Sequence, residues 1–138
     1  MGKILVFGGR NYTDSRRLFE ELDQVALDIG VHCVVHGAAF GTDLLSEDWA
    51  KLNQIAYRGY PAPWRKHIEG WCKCAKKSLK VCKSSGFYRN DLMLRAEHGG
   101  TRNENQKIKL AVAFPGANGT ADMHRLCEEA GIEIKVIR

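Results

Sequence analysis

Three short apolar runs end abruptly in glycine-rich loops, and each is followed by a segment with helical patterning. This rhythm limits the fold more than any single motif does. Lys3 to Phe7 runs into Gly8-Gly9-Arg10, Val31 to His36 into a loop from Gly37 to Gly41, and Lys109 to Phe114 into Pro115-Gly116-Ala117-Asn118-Gly119. A short unbroken apolar run is the pattern of a strand covered on both faces. Behind Thr13-Asp14-Ser15, which offer capping side chains, Leu18, Phe19, Leu22, Val25, Ala26 and Ile29 follow helical spacing up to the stop at Gly30. Leu45, Trp49 and Leu52 share one face after Thr42-Asp43, and Met123, Leu126, Cys127 and Ala130 recur at helical spacing ahead of Gly131. Weaker strands are expected at 55–60 and 132–137, a helix at 88–98 and a polar loop at 99–107. Strand alternating with helix predicts an α/β protein, a parallel sheet with helices on both faces. Such sheets bind ligands beyond the C-terminal ends of their strands.

With 138 residues, 44% of them hydrophobic and 27% charged, the chain suits a single domain over residues 1–138. No apolar run approaches the roughly 20 residues of a membrane helix, so no membrane partner is expected. The apolar start, Ile4 to Phe7, meets Gly8-Gly9-Arg10 without a cleavage pattern and reads as a strand. Five cysteines, an odd number, suit a reducing compartment, and a cytoplasmic location is expected. The net charge of +5 is local in origin. Residues 65–83 carry Arg65, Lys66, Lys73, Lys76, Lys77, Lys80 and Lys83 against Glu69, a net +6, which leaves the rest near −1. The basic appendage, not the whole chain, is therefore the surface on which a nucleic-acid partner would be sought.

Each glycine loop has a ligand reading and a plainer one. In the first, backbone N–H groups approach an anion and Arg10 pairs with it through its planar fork, or the loop is a tight turn with a solvated arginine. In the second, Asp43 either caps the helix that follows or accepts hydrogen bonds from ribose hydroxyls, while His36 is a packed histidine. The third, Pro115 to Asp122, joins an apolar strand to a well-patterned helix. There amides and the helix dipole cradle a phosphate, and Thr120 adds a hydroxyl. It has neither the Lys-Ser/Thr of a Walker A loop nor the Gly-x-Gly-x-x-Gly order of dinucleotide folds.

Taken in order, Gly8-Gly9-Arg10, His36-Gly37…Gly41-Thr42-Asp43, Pro63-Trp64, Arg89-Asn90…Met93-Leu94 and Phe114-Pro115-Gly116…Gly119-Thr120-Ala121-Asp122-Met123 resemble the YspA/YpsA-related branch of the SLOG superfamily. That superfamily includes the LOG phosphoribohydrolases, the Smf/DprA proteins and nucleotide sensors. The resemblance implies a Rossmann-like three-layer fold that binds a nucleotide or nucleotide-derived ligand, as a sensor or sequestering protein. It implies a ligand site of Gly8, Gly9, Arg10, Gly37, Gly41, Asp43, Asn90, Pro115, Gly116, Asn118, Gly119 and Thr120, with no further cofactor. It also implies a homo-oligomer, for which Leu92, Met93 and Ala96 on the 88–98 helix are the candidate contacts. By the same resemblance, Arg89 and Asp122 match the arginine and glutamate with which LOG enzymes cleave an N-glycosidic bond. Asp122 is one methylene short of that glutamate, and a displacement of about 1 Å can cost on the order of 100-fold in rate. Hydrolase activity is therefore the alternative, and a DprA-like nucleic-acid-binding module a second.

Residues 65–86 look like an insertion relative to this family. His67, Cys72, Cys74 and Cys82 could supply four zinc ligands, but Cys-x-Cys is not the usual spacing and a second pair is missing. The expectation is a solvated, lysine-rich helix with incidental thiols and no metal. Trp64 and Trp71 would anchor it on the domain, or stack on a base.

Overall fold

The computed structural model describes residues 1–74, 81–82 and 84–138. Five strands, β1 (Gly2–Phe7), β2 (Val31–His36), β3 (Ala56–Gly59), β4 (Ile108–Ala113) and β5 (Ile134–Val136), form one sheet in the order β3-β2-β1-β4-β5. Every neighbouring pair is parallel. The helices are α1 (Ser15–Ile29), α2 (Thr42–Leu52), α3 (Ser85–Leu94) and α4 (Asn118–Glu129). The chain moves outward from β1 to β3, then returns to the other side of β1 for β4. That reversal opens a crevice between the C-terminal ends of β1 and β4, the switch point of a doubly wound sheet.

The alternation of side chains along each strand divides the core between two faces. Ile4, Val6, Val34, Leu110 and Val112 pack with Leu18, Leu22 and Val25 of α1 and Trp49 and Ala50 of α2. Leu5, Phe7, Val35, Ala111 and Ala113 pack with Met93 and Leu94 of α3 and Met123 and Cys127 of α4. This is the three-layer α/β fold predicted by the strand–helix rhythm. Asp14 caps α1, accepting the Arg17 amide at 3.0 Å, and Gly30 ends the helix with φ +70°. No helix among the described residues is long and apolar enough to cross a membrane.

Three expectations change. Residues 64–74 form turns and extended chain instead of a helix, while 75–80 and 83 lie outside the described residues. Met93 is buried in the core beneath α3 and so cannot serve as an interface contact, whereas Leu92 and Ala96 remain exposed. Helix α4 begins at Asn118, so the third loop contains only Pro115 to Ala117, and Asn118, Gly119 and Thr120 form the helix's first turn.

Less visible in the residues was a buried ionic cluster that joins the end of α3 to β1 and β3. After α3 the chain makes a π-helical turn, Arg95–Gly99, which turns Glu97 inward. Glu97 accepts Lys3 Nζ at 2.9 Å, Arg58 Nε at 2.7 Å, Arg58 Nη2 at 2.6 Å and the Tyr60 hydroxyl at 2.6 Å. Burial alone would raise its pKa, but the donors from Arg58, Tyr60 and Lys3 outweigh burial and hold it at about 2. Because the folded value lies below the ordinary 4.5, the stabilisation is complete above that pH and is lost as pH falls towards 2. Glu97→Ala strands Lys3 in the core and should cost about 3–5 kcal/mol in chemical denaturation. Glu97→Gln should flatten the acid limb of the stability curve.

Candidate functional site

The crevice is held together by Gly9. Its amide donates to the Pro115 carbonyl at 2.8 Å, and its carbonyl accepts the Thr42 amide and the Thr42 hydroxyl, each at 3.2 Å. One peptide unit thus ties the loop after β1 to those after β2 and β4. The loops nest so closely that side chains are excluded. A Cβ on Gly41, which has φ +81°, would fall 2.6 Å from the Arg10 carbonyl oxygen, and one on Gly116 would fall 2.8 Å from the Gly9 nitrogen. Glycine is needed at these positions chiefly for loop-on-loop packing.

Above this floor opens a cleft of about 780 Å³. Among the expected residues, Gly8, Gly9, Arg10, Gly37, Asp43, Arg89, Asn90, Pro115, Gly116, Asn118, Gly119 and Thr120 line it. Gly41 supports the floor from behind. Trp64, Phe87, Tyr12 and Met123 complete the walls. Arg10 lies over the Trp64 ring, 4.4 Å from its centroid, a cation–π contact that joins the first loop to the segment after β3.

One wall is the start of α4. Its cap residue, Ala117, makes no side-chain capping bond, and no acidic residue occupies the first turn. The first helical bond at this end runs from the Ala121 amide to the Ala117 carbonyl at 3.0 Å. The amides of Asn118, Gly119 and Thr120 therefore precede the ladder and carry the positive end of the helix dipole. A Cβ on Gly119 would meet nothing within 4 Å, so space lies beside it.

Asp43 lies across the cleft, in the first turn of α2 but not as its cap. Its Oδ2 accepts the Ala39 amide at 3.2 Å, while Oδ1 is buried and has no partner among the described residues. Burial raises this carboxyl to about 6; the Ala39 amide and the nearby Arg89 charge offset only part of the effect. Arg89 supports the structure from within: Nη1 donates to the carbonyls of Gly37 and, at 3.2 Å, Tyr60, and Nε donates to Asn90 Oδ1 at 2.9 Å. The same Asn90 donates to the Gly119 carbonyl at 3.3 Å and to Asp122 Oδ2 at 3.1 Å. Asp122 is not a lining residue, and its Oδ1 accepts Arg125 Nη2 at 2.9 Å. The pair expected to be catalytic is thus separated, with Arg89 in the wall and Asp122 behind Asn90. His36 is fully buried; Nδ1 accepts the Ala38 amide at 2.9 Å, which leaves Nε2 to donate to Glu47 at 3.0 Å. It holds the loop turn at Ala38, whose φ is +57°.

Asp43 gives the cleft a distinctive pH signature. The folded carboxyl keeps its proton until about pH 6, while an unfolded one releases it near 3.8. Between those values the folded state binds more protons, so this group lowers stability as pH rises, by up to about 3 kcal/mol. Asp43→Asn should raise the melting temperature at pH 7 and remove that decline. An unchanged decline would place its origin elsewhere.

A family model described as the YspA, cpYpsA-related SLOG family matches residues 2–67. Comparison with curated proteins and with solved structures returns no match. The matched stretch runs from β1 through β3 to His67 and includes the Gly9 tie to Thr42, Asp43 and Trp64. Over residues 2–67, just under half of the chain, the protein is similar to the YspA, cpYpsA-related SLOG family.

Proposed function

We propose that the crevice binds a nucleotide or nucleotide-derived ligand, with its phosphate at the start of α4, and that the protein acts as a sensor or sequestering protein. The observation that carries this reading is the pairing of two features across one cleft. The uncapped amides of Asn118, Gly119 and Thr120 stand on one side, and the unpartnered Asp43 Oδ1 on the other. Amides at a helix N-terminus take an anion without any added charge. Arg10, exposed on the rim, supplies a cation. A buried carboxylate with one oxygen lacking a donor suits sugar hydroxyls, which would satisfy Oδ1 and favour its ionised form. Trp64 and Phe87 offer aromatic surface for a base. Similarity to the SLOG family over residues 2–67 supports a nucleotide-related role. The hydrolase alternative has less support, because Asp122 is held behind Asn90 by two hydrogen bonds.

A thermal-shift screen against nucleoside mono-, di- and triphosphates tests this directly. A ligand at 100 times its dissociation constant adds about 2.7 kcal/mol of stability. Gly119→Asp should fold normally, since a Cβ there is unobstructed and a carboxylate suits a helix N-terminus by about 0.3–1 kcal/mol. The same carboxylate repels a phosphate and should weaken binding by several kcal/mol. If the variant binds the stabilising nucleotide unchanged, the phosphate does not sit at α4.

A further inference from the structure

Outside the cleft, four side chains with metal-binding atoms converge where the sequence suggested scattered thiols. His67, Cys72, Cys74 and Cys82 each place a ligand atom within 4.8 Å of the other three. His67 Nδ1 and Cys72 Sγ are 3.1 Å apart, and Cys74 Sγ and Cys82 Sγ 3.9 Å. A disulfide requires sulfurs at about 2.05 Å, so the pair is not cross-linked. A tetrahedral zinc with Zn–S near 2.3 Å and Zn–N near 2.0–2.1 Å separates its ligand atoms by roughly 3.5–3.8 Å, the scale found here. We propose that His67, Cys72, Cys74 and Cys82 bind one structural Zn²⁺ in a Cys₃His site.

Three further features fit a metal at this point. The Cys74 amide points at Cys72 Sγ at 3.4 Å, a backbone N–H to sulfur contact that stabilises a thiolate. Three thiolates, a neutral imidazole and Zn²⁺ carry a net charge of −1, and the 65–83 segment that supplies the ligands has a sequence charge of +6. Cys82 is buried, whereas His67, Cys72 and Cys74 are half-buried, which leaves a path for the ion on one side.

The position gives the metal a structural task. Ser85 donates to the Pro63 carbonyl at 2.9 Å, the Lys73 amide donates to Ser84 Oγ at 3.1 Å, and the Cys82 amide donates to the Trp64 carbonyl. Trp71 meets Tyr88 edge-on at 5.7 Å. These contacts join the stretch after β3 to the start of α3, but most of its residues are polar and bury little. A fourfold covalent clamp from His67 to Cys82 would fix that stretch, and with it Trp64 and the first turn of α3 beside the cleft. The wide cysteine spacing is then a consequence of Cys82 entering the site next to α3.

Metal analysis of full-length protein, expressed with added zinc and purified in reductant without chelator, should find one zinc per chain. Replacement by Co²⁺ should give the intense visible absorption of tetrahedral thiolate-bound cobalt. Cys74→Ser should lose at least the roughly 10–100-fold in zinc affinity that removal of an outer hydrogen-bond partner already costs. His67→Cys should keep the metal and shift the cobalt spectrum towards four thiolates, which separates ligation from mere folding damage. Substoichiometric zinc in the wild type, a weak octahedral cobalt spectrum or a Cys74–Cys82 disulfide in place of metal would each overturn the proposal. None of these readouts depends on nucleotide binding.

Discussion

The cleft depends on the two hydrogen-bonding groups of Gly9. With its amide on Pro115 and its carbonyl on Thr42, the first loop cannot move without the other two. A parallel sheet brings its strand ends to one edge but does not by itself hold the following loops in register. Here that is done by backbone contacts too close for a Cβ, which is why glycine stands at 9, 41 and 116, whereas a Cβ at Gly8 would meet the Thr42 and Phe114 side chains. The Gly9 amide is therefore spent on the protein. Under the proposed function, anion recognition would fall to the first turn of α4, which has no side-chain cap.

Two buried carboxylates are driven in opposite directions by their surroundings. Glu97 has donors from Lys3, Arg58 and Tyr60 and is held at about 2, whereas Asp43 has the Ala39 amide on one oxygen and none on the other, and rises to about 6. The first locks the π-helical turn after α3 to β1 and β3. The second leaves a buried, unpartnered oxygen on a residue that lines the cleft, at a cost to the empty fold that a ligand's hydroxyls would remove under the proposed function. Stability and binding pull in opposite directions at such a residue.

Much of the architecture was legible in the residues. Short apolar runs ending in glycine, alternating with helical spacing, lead to a parallel sheet with two covered faces, and the loops at its C-terminal edge follow from that topology. The start of α4 was less legible: Asn118-Gly119-Thr120 resembles a loop by composition, and the helix reaches it because the apolar face further on, Met123 and Cys127, is anchored in the core. Asp122, matched by resemblance to a catalytic glutamate, meets Asn90 and Arg125 instead of lining the cleft, and spacing from a motif does not reveal helical phase. The Glu97 cluster joins residues far apart in sequence, and Lys3 lay inside an apolar run without a visible partner. The basic segment's helical composition did not make a helix of 64–74, where Gly70 takes φ +84°, and the thiols converge through turns that no periodicity encodes.

If the first turn of α4, opposite Asp43, is where an anion is recognised, amide chemical-shift mapping on isotope-labelled protein will locate it, with titrations of the nucleotide that most raises the melting temperature and, separately, of inorganic phosphate. Both titrations should perturb the amides of Asn118, Gly119 and Thr120 most strongly, and the nucleotide alone should also perturb Asp43 and its neighbours. Perturbations centred on the basic 65–74 segment, with the α4 amides unmoved, would contradict that assignment.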